Sequence, residues 1–401
     1  MKKRTISKID KNIIDRKSIT NLKLIRVKTI KMRNKIFYLL LFLSSTVFSQ
    51  ELILPYAEQE GWPIIQVEIN NRNYKFLFDT GAGITVVNSN TIKNLAIIEN
   101  IETRDINKTI ENIPVSILPK LKIGAKTFSE QKVAYKSLES LNMNFCELQL
   151  DGIIGIDIMK GFLIEVNTQE RVIEFHNKNS FDLDELKGFS KNKYKHDIPT
   201  IKLKIDRQKR YASFDTGSNG DLTLSDYKLS DFINDNKNIT SIGKGSLGIN
   251  SSQDKIINHE FINENIEFGD LSLKNQNFTL NNQSQNNIGF DFIKQFNFFL
   301  DVSDKIIYLK KHSDFNVPES NISKYGFWIF YNFDAKNYYV STIVDTNGQL
   351  KIGDVLLKIN DIELPQEYCE LSTFLKKHME KNMTIHIERN GKESVVKYNY
   401  S

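Results

Sequence analysis

The sequence predicts a mostly β protein, with two duplicated β-barrel lobes about a pseudo-twofold axis and a small α+β domain behind them. Three observations carry that expectation: an internal repeat, period-two hydrophobic alternation in both copies, and a change of pattern after residue 323. Residues 63–83 read PIIQVEINNRNYKFLFDTGAG and residues 199–219 read PTIKLKIDRQKRYASFDTGSN, aligned without a gap at an offset of 136. Further on, IIGIDIMKGFLIEVNTQERVIEF at 153–175 matches NIGFDFIKQFNFFLDVSDKIIYL at 287–309 at an offset of 134. Between them LKIGAKTF at 121–128 matches IEFGDLSL at 266–273 at an offset of 145, which puts longer loops early in the second copy.

Taken in order, residues 1–49 read as a basic leader and signal peptide. The unbroken apolar run IFYLLLFL at 36–43 follows the basic MRNK at 32–35, and Val47 and Ser49 are small enough to set cleavage before Gln50. The alternative is a membrane anchor, but the run is short of the ~18–20 apolar residues a span needs, so no stable membrane span is expected. Met32 is a second candidate for the start of translation. The leader implies export to a periplasmic or extracellular compartment. Residues 50–185 form the first lobe and 190–312 the second, with the connection between them in 178–195. Short helices are expected at 156–160 and 290–295, and the Asn-rich stretch 234–297 reads as long loops between strands. A second join lies at 312–323, and 324–401 is the small domain, with one helix at 369–379.

Composition narrows the function. The formal charge is +5, yet residues 1–35 hold thirteen Lys and Arg against two Asp, which leaves 41 Lys and Arg against 47 Asp and Glu in the rest. A mildly acidic body offers no electrostatic footprint for a phosphate backbone, so no nucleic-acid partner is expected. Cys146 and Cys369 are the only cysteines and are expected to be unpaired and buried. With no Cys/His cluster and six scattered His, no metal site is expected. Neither GxSxG nor HExxH occurs.

The chemistry sits in the repeat. Both copies present an apolar strand that ends in Phe-Asp-Thr-Gly, FLFDTGAG at 76–83 and ASFDTGSN at 212–219. Glycine after the Asp-Thr supplies a backbone conformation closed to other residues, and nearby N–H groups can hold the carboxylate. One such tripeptide is a common surface turn; two at equivalent places in a duplicated chain bring Asp79 and Asp215 face to face across the axis. Two carboxylates at ~3 Å cannot both ionise, so they share a proton and divide into an acid and a base. That pair activates water and polarises a carbonyl with no metal or organic cofactor.

These residues resemble the aspartic proteases of the pepsin and retropepsin type, over residues 55–311. The resemblance implies Asp79 and Asp215 as catalytic dyad, Thr80 and Thr216 as cross-links between the two loops, and Gly81, Gly217 and Ser218 as turn residues. An apolar-apolar-Gly element braces each loop in that family; here Ile154 and Gly155 close the first (Ile153-Ile154-Gly155). Ile288 and Gly289 close the second, which reads Asn287-Ile288-Gly289, with a polar residue in the first place. Copies of about 120 residues look like a fused retropepsin dimer, which implies an active monomer. The family's glycine-bearing flap has a candidate in Gly243, Gly245 and Gly248, with a plain loop as the alternative, whereas 103–112 in the first copy has no Gly.

The last 78 residues resemble a PDZ domain, most specifically in LKIGDVLLKIN at 350–360. The resemblance implies a peptide or protein C-terminus added as a strand beside Gly326, Phe327, Trp328 and Ile329, facing Leu371, Phe374 or Leu375 on the helix. The alternative is a PDZ-shaped cap that binds no free peptide. Together the expectation is an exported aspartic endopeptidase acting on polypeptides, with a module that recruits substrate or regulates access. Its rival is a catalytically inactive peptide-binding scaffold on the same folds.

Overall fold

The structure, a computed structural model, describes residues 52–104, 109–143, 145–146, 148–205, 208–226, 228–243, 256–282, 285–315, 324–344 and 349–400. The leader, Gly245 and Gly248 lie outside them. Among the described residues no helix is long and apolar enough to cross a membrane.

The chain runs β1 (Leu52–Pro55), β2 (Ala57–Gln59), β3 (Trp62–Ile69), β4 (Arg72–Phe78), β5 (Val86–Asn88), β6 (Ile97–Arg104), β7 (Ile110–Ile123) and β8 (Lys126–Lys136). A short helix α1 (Glu139–Asn142) leads to β9 (Gly152–Ile154), α2 (Ile156–Met159), β10 (Phe162–Asn167), β11 (Val172–Asn177) and β12 (Ser190–Lys193). Next come β13 (Thr200–Ile205), β14 (Gln208–Phe214), β15 (Leu222–Ser225), α3 (Ser230–Asp235), β16 (Ile239–Gly243), β17 (Ile256–Phe268) and β18 (Leu271–Asn281). After them follow β19 (Asn287–Ile288), α4 (Phe290–Ile293), β20 (Phe296–Asp301) and β21 (Ile306–Lys311). The last stretch holds β22 (Phe327–Asn332), β23 (Asn337–Val344), β24 (Val355–Ile359), β25 (Ile362–Glu363), α5 (Leu371–His378), β26 (Asn382–Arg389) and β27 (Lys392–Asn399).

The protein is mostly β. Residues 57–136, with β9, form an eight-stranded sheet in the order β2-β3-β4-β9-β5-β8-β7-β6. The second sheet starts β13-β14-β19-β15-β18-β17-β16 and continues into the C-terminal module as β23-β24-β26-β27. A third sheet, β1-β11-β10-β20-β21-β12, joins the halves, β10 running antiparallel to β20 from Leu163↔Asp301 to Val166↔Phe298. Alternation explains these strands: in β13, Ile201, Leu203 and Ile205 are buried while the residues between them are not. One hydrophobic core runs through both halves and the joining sheet, and the module has its own around Phe327, Ile329, Val340 and Ile385. Phenylalanine fills much of the first, as where Phe214 meets Phe298 edge to face with centroids 4.9 Å apart.

Three expectations change. The connecting segment 178–195 contains β12, which pairs with β21; as a polar strand at the sheet edge, SKNK buries only Asn192 and so shows no alternation. The described residues of the Asn-rich stretch are largely strand, because β17 and β18 bury Phe261, Ile266, Phe268, Leu273, Phe278 and Leu280 while Asn265, Asn275 and Asn282 are exposed. Cys146 and Cys369 form no disulfide, as expected, but neither is buried: Cys369 is exposed in a 3-10 turn and Cys146 is half-buried in the loop after α1.

Candidate active site

Each Asp-Thr-Gly segment leaves the end of a strand that is clamped in parallel register to its downstream brace. Phe78 pairs with Ile154 in the first half, and Phe214 with Ile288 in the second. The Asp79 N–H donates to the Ile154 carbonyl and the Asp215 N–H to the Ile288 carbonyl, both at 3.0 Å. These bonds fix the point at which each carboxylate leaves its sheet.

The two loops are then locked to each other by their threonines, both fully buried. The Thr80 hydroxyl donates to the Phe214 carbonyl at 2.5 Å and accepts the Thr216 N–H at 3.0 Å. Thr216 does the same in reverse, to the Phe78 carbonyl at 2.6 Å and from the Thr80 N–H at 3.0 Å. Four buried backbone groups at the lobe boundary are thereby satisfied by two side chains, which only a hydroxyl that both donates and accepts can do.

Asp79 and Asp215 meet across this lock, hydrogen-bonded side chain to side chain. Asp79 Oδ1 accepts the Gly81 N–H at 2.7 Å and the Ala82 N–H at 3.0 Å, while Asp215 Oδ1 accepts the Gly217 N–H at 2.9 Å. Burial, then the facing charge of Asp215, holds the Asp79 carboxyl well above the usual carboxylate range. Burial also raises Asp215, but its bonds to Asp79, to loop N–H groups and to Asn287 pull it back. Two carboxyls so placed, on residues half-buried at the surface, can share one proton.

Gly81 and Gly217 are needed for a reason other than the one expected. Neither has a positive φ. A Cβ on Gly81 would collide with the Asp215 carboxylate, and one on Gly217 with the Asp79 carboxylate. Each glycine therefore makes room for the opposite loop's acid. Gly155 and Gly289 serve close approach too, against the backbone at Ala82 and Ile84 and at Gly220 respectively. Ser218 sits in the second loop, its carbonyl accepting the Phe290 N–H at 2.6 Å.

Two contributors were not legible as site residues. The Trp62 indole donates to the Gly217 carbonyl at 2.7 Å, and Asn219 Nδ2 donates to the Glu60 carbonyl at 3.2 Å, so the turn ahead of β3 props the second loop. The one available signal was that Trp62 has Ile198 at its equivalent place in the repeat. The other is Asn287, buried in the second brace, whose side chain lowers the Asp215 carboxyl.

Of the candidate flap glycines, Gly243 closes β16, paired to Ile256 of β17 on one side and to Thr342 of β23 on the other. Of the four module residues, Gly326 has φ 77° and packs against Tyr398 and Tyr400, Phe327 and Ile329 are buried in the module core, and Trp328 is half-buried. Leu371 and Leu375 of α5 belong to that core, with Phe374 packed on it. Among the described residues the group able to hold a metal is Glu165, Glu174 and His176, on β10 and β11 of the joining sheet, and none of the three belongs to the dyad loops.

One comparison falls on the first half. Residues 65–160, with Asp79, Thr80, Gly81, Ile154 and Gly155, match the family model described as gag-polyprotein putative aspartyl protease. No curated protein matches the chain. Among solved structures, the aspartic proteinase from Irpex lacteus is similar at a TM-score of 0.44 and 10% identity, over 66% of this chain and 98% of that one. Residues 65–160 are thus similar to that gag-polyprotein aspartyl protease model.

Proposed function

We propose that this chain is an exported aspartic-type endopeptidase that works as a monomer, with Asp79 and Asp215 as its dyad and a PDZ-type C-terminal module that regulates access to the cleft. The observation that carries the reading is the reciprocal threonine lock, which sets two acids from one chain side by side with room for one proton between them. A water between the carboxyls loses a proton to the charged member as its oxygen bonds to the scissile carbonyl carbon. The protonated member passes its proton to the carbonyl oxygen, so the tetrahedral intermediate forms without charge and without a bond to the enzyme. When the C–N bond breaks, the first acid protonates the leaving nitrogen and the second recovers a proton from the intermediate's hydroxyl. The cycle balances with water and peptide alone.

The module's role is supported by strand pairing. Thr342 and Ile343 of β23 pair with Trp328 and Phe327 of β22 on one edge and with Gly243 and Ile242 of β16 on the other. Among the described residues β22 pairs with β23 alone, so its other edge is open to an added strand. A chain terminus bound there lies two strands from the β16–β17 hairpin, the candidate flap. The test is cleavage of an unfolded protein from acidic to neutral pH, with fragments read by mass spectrometry. The reading predicts internal cuts and a bell-shaped pH profile; a folded sample that cuts nothing at any pH contradicts it.

A further inference from the structure

Gly217 stands between the two acids. Its N–H donates to Asp215 Oδ1 at 2.9 Å, and its Cα lies so close to the Asp79 carboxylate that a Cβ there would overlap it. Gly81 does the same in mirror, with its N–H on Asp79 Oδ1 and its Cα against Asp215. What differs is the anchor behind each glycine. The Trp62 indole N–H reaches the Gly217 carbonyl at 2.7 Å, and Asn219, two residues on, donates to the Glu60 carbonyl at 3.2 Å. In the repeat Trp62 corresponds to Ile198 and Asn219 to Gly83, and neither of those side chains carries an N–H. The equivalents still face each other: a Cβ on Gly83 would lie 3.8 Å from Ile198 Cδ1, at van der Waals contact. The same junction is thus two hydrogen bonds at the second acid loop and an apolar contact at the first.

Trp62 is itself held from behind. Its ring meets the buried Phe145 edge to face, with centroids 4.8 Å apart. The nearby Glu60 carboxylate accepts the Cys146 N–H at 2.8 Å, so the loop after α1 backs the whole turn. Gly61 passes through that turn at φ 84°, which brings its Cα against Asn219. We propose that Trp62 is a positioning residue of the acid pair: its indole N–H pins Gly217, and Gly217 in turn sets the spacing and orientation of both carboxyls. The inference rests on the dyad reading above and adds a residue that acts on the acids through Gly217. A displacement of ~1 Å among reacting groups costs about 100-fold in rate, so the bond that fixes Gly217 bears on turnover more than on substrate binding.

The experiment compares the unaltered full chain with Trp62→Phe, which keeps a ring beside Phe145 and removes the donor. Amide hydrogen exchange followed by NMR reads the loop whether or not a substrate is known, and cleavage is followed separately. In the variant the Gly217 amide exchanges about tenfold faster, while the Gly81 amide and the strand amides of β3 keep their rates. With a cleaved peptide, kcat falls by about 10- to 100-fold and KM stays within about twofold. If Trp62→Phe is unfolded, 3-benzothienylalanine at position 62, with sulfur where the indole has its N–H, removes the bond at nearly constant shape and gives the same shifts. A Gly217 amide unchanged in a folded variant, equal changes at Gly217 and Gly81, or a loss of activity carried wholly by KM overturns the inference. Absence of cleavage in the unaltered protein, with the faster exchange still confined to Gly217, would instead count against the peptidase reading alone.

Discussion

The two aspartate loops share a skeleton but not their surroundings. Strand register, brace carbonyl and threonine lock are the same in both, down to bonds of equal length from Asp79 and Asp215 to their braces. Around that skeleton the second loop alone gains a buried asparagine in its brace, a tryptophan on the Gly217 carbonyl and a hairpin joined to the C-terminal module. The difference teaches that what holds two acids together must be symmetric, because each loop satisfies the other's buried groups. What tells them apart is free to differ, and it lies one layer out.

The comparison breaks hardest at the glycines. Gly81→Ala and Gly217→Ala each drive a methyl into the opposite carboxylate, so each should lower kcat/KM by about 100-fold or more with the fold retained in circular dichroism. Equal losses would confirm that each glycine serves the other lobe's acid. Next come the threonines. Thr80→Val or Thr216→Val leaves two buried backbone groups unpaired and should cost about 2–3 kcal/mol in denaturant unfolding. Because the two hydroxyls lock the same pair of loops, the double variant should cost clearly less than the sum.

Asp221 sharpens the comparison through pH. Its equivalent in the first half is Thr85, which bonds to Asp157; Asp221 instead faces Asp291 and rises from 3.8 to about 6. The folded protein holds that proton where the unfolded chain has released it, so this group's contribution to stability falls as pH rises from about 4 to 6. Asp221→Asn should therefore melt higher than the unaltered protein at pH 7, by about 1–2 kcal/mol in view of its partial exposure, and equally at pH 4. The smallest effect is expected at the join to the module. Gly243→Ala presses on Ser341 and Thr342 and should cost about 1 kcal/mol, seen as faster amide exchange in β16 and β23 with the Thr80 and Thr216 amides unchanged.

Much of this was legible in the sequence. The repeat located both acids, both threonines and both braces, because close sequence equivalents adopt the same local pairing. The short helices fell where expected, at Ile156–Met159 and Phe290–Ile293. Less legible was whatever depends on contact between distant segments. The reason for Gly81 and Gly217 is a carboxylate about 135 residues away, which no local turn rule can see. Trp62 belongs to no motif, and Asn287 read only as a polar residue in an apolar brace. Strand β12 was hidden because a polar edge strand shows no alternation, and the β16–β23 pairing because the segments that form it belong to separate sequence modules.

The central claim is that Asp79 and Asp215 act as one unit. The most direct test is the rate of peptide cleavage by Asp79→Asn, Asp215→Asn and the double variant, each shown to be folded. The account predicts that either single change lowers the rate by about 1,000-fold or more and that the double variant is no worse, since a broken pair has nothing further to lose. Substantial cleavage retained by either single variant would contradict it.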